Sequence, residues 1–381
     1  MMKKINKYGS IALLTITVAV FTSCSDQFLE DKKLYGSFNG TTIYENYESA
    51  DNRIAYLYYI MLPSATGGSD LTGSMGDMPS TGTSDQYSKC TEEYGGISGL
   101  MNPNSPLDYE TVTDYFNLDN NYSPWVRIRE CNDMIEGVIG SESLTEHQKQ
   151  LLLGQAFFFR AWRYYLMVMM YGGVPIIDSY ETAEEAQVPR NTEEEVKKYI
   201  YDELDAAIPM LDDAPAASGH IAKGTALAIK MRSALYYADY QRAKEAAKAI
   251  MDLGQYELDP SFENIFMVSG QNSKEIIAAV QHDENLYSNW MIATMYNNSD
   301  AGWSSMVPSK NLIDAYEMSN GLTKEEAGSG YDPVHPFANR DPRMAMTVLY
   351  PGMDWVNYKG EETIINTLDK EVNGKSNPDH P

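Results

Sequence analysis

Apolar positions recur at spacings of three and four along much of the chain, and that period predicts helices. From about Tyr44 to Leu62, Tyr47, Ile54, Tyr58 and Met61 fall close to one face, and Pro63 ends the segment. Ser123-Pro124-Trp125 starts a second helix, with Ser at the N-cap and Pro at the first helical position, and WVRIRECNDMIEGVI continues it. Thr145 and Gln148 form a capping box that launches a third, through residue 171. Thr192 and Glu195 form another, followed by Val196, Ile200, Leu204, Ala207, Ile208 and Leu211, with Pro209 set to end or kink the helix. GTALAIKMRSALYYADY and YQRAKEAAKAIMDLG predict a final pair, stopped by Gly254. In that pair Ala243 and Ala247, between Tyr240 and Ile250, are expected to face Leu227, Met231, Leu235 and Tyr236.

Alternation of small and large residues across two consecutive helices resembles a tetratricopeptide unit. The expected fold is mostly α: a scaffold of helix pairs with an attached irregular, loop-rich region and short strands, EIIAAV at 275–280 among them. The expected pairings are 124–139 with 145–171, and 192–211 with the stretch after 220. Residues 64–106 break the pattern. SATGGSDLTGSMGDMPSTGTSDQYSKC is dominated by Gly, Ser, Thr and Asp and has no helical period.

The most apolar stretch, QAFFFRAWRYYLMVMMYGGVP at 155–175, raises the question of a membrane span. At 100° per residue Arg160 and Arg163 lie about 60° apart, with Ala156 and Met167 on their face. Each Arg near mid-bilayer would cost about 2.5–3.5 kcal/mol. A helix apolar nearly all round with one narrow Arg seam fits the centre of a helical stack, the guanidiniums meeting carboxylates or helix C-termini of neighbours.

The first residues have a different character. Lys3, Lys4 and Lys7 precede an apolar run from Ile11 to Phe21, the pattern of a secretory signal. Phe21-Thr22-Ser23-Cys24 resembles a bacterial lipobox, so Cys24 is expected to be lipidated after removal of residues 1–23. Residues 24–43 then form a tether, and 44–381 a single domain. Its scaffold is expected mainly in 44–62 and 124–254, and its ligand-facing loops in 64–122 and 255–381.

The full chain has 381 residues, 43% of them hydrophobic, enough for a sizeable core. Its net charge of −25 becomes more negative by the three lysines of residues 1–23, which argues against nucleic acid as a partner. Besides Cys24 only Cys90 and Cys131 remain, so at most one bridge is available. No HExxH, GxSxG, P-loop or GxGxxG motif occurs, and the five His are scattered without ligand spacing. No catalytic residue, cofactor or metal is therefore assigned, although two carboxylates suffice for a glycosidase and the chain has 54 acids.

Binding chemistry is better represented. Sugars are held by flat rings against their C–H faces, with amides and carboxylates taking the hydroxyl hydrogen bonds. NLYSNWMIATMYNNSDAGWSSM at 285–306 interleaves Tyr287, Trp290, Tyr296 and Trp303 with Asn289, Asn297, Asn298 and Asp300. It precedes a helix start at Ser309. The Gly-rich segment, with Asp77, Asp85 and Tyr87, is a second candidate. Packing of the irregular region is the other role open to these rings, and a solvated loop the other reading of the Gly-rich segment.

Several blocks in order carry a family resemblance. FRAWRYYLMVMMYGGVP, PRNTEEEVKKYIYDELDAAIPML, GHIAKGTALAIKMRSALYYADYQRAKEAAKAIM, EIIAAV, PSKNLIDAYEMSNG and RDPRMAMTVLYPG resemble successive signatures of the SusD-like (RagB/SusD) outer-membrane lipoproteins of Bacteroidetes. The resemblance implies a tetratricopeptide-type scaffold and a surface-exposed lipid anchor in the outer membrane. Ser25-Asp26, with Glu30 and Asp31, resembles these lipoproteins' acidic export signal. It also implies a TonB-dependent SusC-like barrel as partner and an oligosaccharide as ligand, with peptides or another nutrient as the alternative. Members of the family usually continue for a hundred or more residues past the RDPR block. Their R-Y-A-E and QNPGY-like segments do not occur before the last residues, NGKSNPDHP, so the chain is expected to be truncated relative to the family.

Overall fold

A computed structural model describes residues 43–61, 72–73, 79–80, 124–178, 187–214, 219–279, 296–304 and 307–380, with Thr182, Glu184 and Glu185. Six helices build the scaffold: α1 (Tyr47–Met61), α2 (Pro124–Gly140), α3 (Glu146–Tyr171), α4 (Glu193–Ala207), α5 (Lys223–Tyr236) and α6 (Tyr240–Asp252). Two short ones follow, α7 (Lys310–Ala315) and α8 (Pro342–Thr347). Strands come only as two-stranded antiparallel ladders among the described residues: β1–β2 (Thr72–Gly73, Pro79–Ser80), β3–β4 (Asp354–Val356, Glu362–Ile364) and β5–β6 (Glu371–Val372, Lys375–Ser376).

Both capping boxes form. Thr145 Oγ1 accepts from the Gln148 N–H at 3.3 Å, while the Gln148 side chain accepts from the Thr145 N–H at 3.0 Å. Thr192 and Glu195 repeat the exchange at 3.3 and 2.8 Å. At the far end of α3, Gly172 turns left-handed at φ 65° and its N–H caps Val168 O at 2.9 Å. A Cβ on Gly173 would lie 2.1 Å from Asn191 O, so the turn can press against the start of α4 only with glycine there. Pro209 ends α4 in a single 3₁₀ turn, Ile208–Met210.

α3 is the hub. It packs against α2 on one side and α4 on another, with α1 laid across α2 and α3. Phe158, Phe159, Trp162 and Tyr164 are all buried; the first three rings meet each other and Phe159 meets Tyr58 of α1, while Tyr164 lies edge-on to Tyr199 of α4. Arg160 and Arg163 are buried too. Among the described residues no helix is long and apolar enough to cross a membrane. The expected pairing of α2 with α3 is present. That of α4 with the stretch after 220 is slight, because Val196, Ile200, Leu204 and Ala207 face the aromatic wall of α3 instead.

α5 and α6 form a close antiparallel pair. Asp239 caps α6 by accepting from the Arg242 N–H at 3.1 Å, and Ala238 takes φ 57° in the tight turn. The close approach uses buried Ala243 and Ala246, with Ala247 half-buried, and Gly254 ends the pair at φ 63°. Leu227 is buried and Met231 half-buried, but Leu235, Tyr236 and Tyr240 lie exposed. The tetratricopeptide-like alternation of small and large residues predicts them at the contact between the two helices. Tyr236 instead lies edge-on to Tyr165 of α3 and to Tyr237.

Residues 275–279 make no strand. Ile276 N–H turns back to Ser273 O at 3.2 Å, and the Glu275 carboxylate takes the Asp259 N–H at 2.7 Å. A side chain satisfies the neighbouring backbone where a ladder was expected. Ser309 caps α7 as predicted, accepting from the Leu312 N–H at 3.1 Å.

Candidate ligand-binding surface

Of the residues singled out for binding, Tyr296, Asn297, Asn298, Asp300 and Trp303 lie within the described structure. Tyr287, Asn289, Trp290, Asp77, Asp85, Tyr87 and the lipidation residue Cys24 lie outside the described residues, as does Cys90. Cys131 is a free, buried thiol on α2.

The described part is a closed loop from Tyr296 to Ser304. Asn298–Asp300 form a 3₁₀ turn, and Ala301 reverses the chain at φ 62°. The Gly302 N–H bonds Asn297 O at 3.0 Å, and the Ser304 N–H bonds Tyr296 O at 2.9 Å. A Cβ at Gly302 would meet Tyr296 O at 2.1 Å, so only glycine closes this ring. The result is a pinned backbone that leaves its two large rings outside: Tyr296 is 40% and Trp303 57% exposed.

The polar side chains of the loop point elsewhere. Asn297 Nδ2 donates to Asp379 Oδ2 at 3.1 Å, Asn298 Nδ2 to Pro378 O at 2.8 Å, and the Ser299 N–H to Asp379 Oδ1 at 3.1 Å. These bonds tie the loop to the segment after β6. That segment is itself locked by buried Asn377, which donates to Asn366 O and Asp369 O, both at 2.8 Å. Asp300 is buried. Its Oδ2 accepts from Trp355 Nε1 at 2.7 Å and its Oδ1 from the Tyr358 N–H at 3.0 Å. Tyr296 meets Trp355 edge to face, centroids 6.3 Å apart.

Trp355, Tyr358 and Asp379 escaped the sequence reading. A Trp-x-x-Tyr step after the Pro351-Gly352 turn was the available signal. The bond that gives it meaning spans 55 residues.

A cleft of about 390 Å³ lies away from this loop, lined by Phe262, α7 residues Leu312 and Ala315, then Tyr316, Glu317, Asp341 and Arg343. In its wall Arg343 and Asp341 pair with each other, Arg343 Nε donating to both Asp341 oxygens at 3.0 Å. The aromatic loop is an open surface, and stacking against a ring needs a face rather than a cavity. Among the described residues no three His, Cys, Asp or Glu side chains converge as a metal site.

A helical-pair scaffold bearing an irregular flank on its C-terminal side is thus in place. Residues 70–235 match a SusD-like family model described as starch-binding and associating with the outer membrane, and residues 227–380 match the SusD family model. The chain belongs to the SusD family.

A SusD-like protein of Bacteroides ovatus is 22% identical over 345 residues, covering 83% of this chain and 59% of its own length. Two solved structures from Bacteroides fragilis share the fold. One, a SusD-like protein, superposes with TM-score 0.67 at 23% identity, covering 86% of this chain and 65% of its own. The other, a SusD-like carbohydrate binding protein, gives 0.65 at 22%, with 83% and 62% covered. This SusD-family chain spans about half to three-fifths of the length of the curated relatives it matches.

Proposed function

We propose that this SusD-family chain is a surface-exposed, non-catalytic lipoprotein that captures oligosaccharides and passes them to a TonB-dependent, SusC-like barrel in the outer membrane. Family membership supports the reading, as does the fold shared with a protein described as carbohydrate binding. Anchoring rests on the Lys-rich start, the apolar run and the lipobox ending at Cys24. In this reading residues 44–381 act as one domain, with the helical scaffold as platform and the residues after 254 as part of its ligand-facing side.

One observation carries the site assignment: Tyr296 and Trp303 stay open to solvent on a loop whose backbone is pinned at both ends. Exposed rings on a stiff support offer a sugar contact area at low entropy cost. Tyr287, Trp290, Asn289 and Asn298 belong to the same candidate surface, and Asp77, Asp85 and Tyr87 to its second part.

Calorimetry of the purified protein against maltoheptaose, laminarihexaose and xylohexaose tests the reading. Tyr296→Ala, Trp303→Ala and Trp290→Ala are expected to weaken binding at least fivefold in one or more cases. If none shifts affinity more than about twofold, the site is misplaced. Product formation from any of the sugars would replace the binding role with a hydrolytic one. Peptide affinity without sugar affinity would change the ligand class.

A further inference from the structure

Asp300 is a buried carboxylate in a loop that otherwise sends its two amide side chains and the Ser299 N–H to the C-terminal segment. Its two oxygens take two donors from one element, the β3–β4 hairpin: the indole N–H of Trp355 and the backbone N–H of Tyr358. The hairpin has little else to bury. Asp354, Val356 and all three residues of β4 are exposed, and Trp355 is the one half-buried residue of the two strands. In the register Trp355 opposes Thr363, so alternation turns the indole to the opposite face from Asp354 and Val356 and against Tyr296.

Beyond the ladder the tip is stiff. Asn357 Oδ1 accepts from the N–H groups of Lys359 at 3.0 Å and Glu361 at 2.9 Å. Tyr358 sits on this tip with its side chain out in solvent, 61% exposed. A phenyl ring would fill the Trp355 position for packing alone. An indole whose N–H is held by a buried carboxylate has its plane fixed as well.

We propose that the ligand surface continues from the 296–304 loop onto the β3–β4 hairpin, with Trp355 and Tyr358 as ring contacts for a pyranose chain and Asp300 as the positioning residue that holds both elements in register. The proposal rests on the glycan-binding reading and adds an extended, multi-ring surface to it. Such a surface suits an oligosaccharide several residues long better than a single sugar, because each added ring contacts a further pyranose face.

Calorimetry with the same three oligosaccharides decides it. Tyr358→Ala removes an exposed ring and leaves the core intact; it is expected to weaken binding at least fivefold, and Tyr358→Phe to restore it. Asp300→Asn loses one of the two acceptors and is expected to weaken binding to a similar degree. Sugar-induced change in tryptophan emission should shrink in Trp355→Phe relative to wild type, which a purely structural role would not produce. If Tyr358→Ala binds within twofold of wild type while Trp303→Ala binds weakly, the hairpin is no part of the surface and the glycan reading stands. If wild type binds none of the sugars, that reading falls and this extension with it.

Discussion

Arg160 of α3 and Glu203 of α4 face each other in a two-pronged ion pair, Nε to Oε2 at 2.7 Å and Nη2 to Oε1 at 2.9 Å, with both side chains about nine-tenths buried. Arg160 Nη1 also donates to Asn132 Oδ1 of α2 at 2.8 Å, and Asn132 Nδ2 donates to Ile177 O at 2.9 Å. One guanidinium thus joins three helices. Burial pushes the Glu203 carboxyl above its ordinary range even though Arg160 pulls it back. Breaking half of it strands a buried charge. Arg160→Ala is expected to destabilise by about 3–5 kcal/mol, whereas Arg160→Met combined with Glu203→Leu should recover most of that loss. Urea unfolding of the three proteins measures it, and a single variant within 1 kcal/mol of wild type, on the ~1 kcal/mol scale of an ordinary substitution, would refute the assignment.

Cys131 gives an independent handle on the same region. It is fully buried on α2, and burial pushes its thiol up to about 12, with Arg160 and Arg163 only partly offsetting this. The thiolate is the reactive form, so the native thiol should resist alkylation at pH 8 and react on unfolding. In a Cys24→Ser, Cys90→Ser background, iodoacetamide labelling followed by mass spectrometry should show Cys131 unmodified until denaturant is added. Rapid labelling of the folded protein would mean that the α2–α3 contact opens readily.

The helices were legible because each carries its own signals. The capping pairs Thr145–Gln148 and Thr192–Glu195, the Gly172-Gly173 stop and the Arg seam of α3 all act within a few residues of where they are written. Apolar character alone was a weaker guide. Leu235, Tyr236 and Tyr240 follow the period of their helices yet lie exposed, since an apolar period does not say which part of the stripe a neighbour covers. EIIAAV looked like a strand, but a strand needs a partner edge, and the Glu275 side chain took that place. The candidate loop was visible as a cluster of rings and amides. Which of them turn inward was not, because Asp300, Asn297 and Asn298 find their partners 55 to 82 positions away.

Two glycines near the ends of α3 and α2 should respond oppositely to alanine. At Gly173 a Cβ would collide with backbone, 2.1 Å from Asn191 O and 2.9 Å from Glu193 N, and neither can yield without moving the start of α4. At Gly140 it would meet nothing within 4 Å. Gly173→Ala is therefore expected to lose more than about 2 kcal/mol, and Gly140→Ala to change stability by less than about 1 kcal/mol in the favourable direction. Thermal unfolding of both variants checks the contrast. Equal melting temperatures would mean that the 172–175 turn does not seat against α4 as described.

Asp341, the N-cap of α8, should add to the acid sensitivity of the C-terminal part. The Arg343 side chain, and then its backbone N–H at 2.9 Å, hold the Asp341 carboxyl below the usual carboxylate range. A carboxyl with a depressed folded pKa binds protons more readily when unfolded. Its contribution to stability is complete above the unfolded value of about 3.9 and is lost as pH falls through the lower, folded value. Asp341→Asn cannot titrate there, while the other carboxylates titrate in both proteins and cancel. The melting-temperature advantage of wild type over Asp341→Asn should therefore be largest at neutral pH and shrink steadily from pH 5 to pH 3. A difference that held constant down to pH 3 would show that Arg343 does not grip this carboxylate in solution.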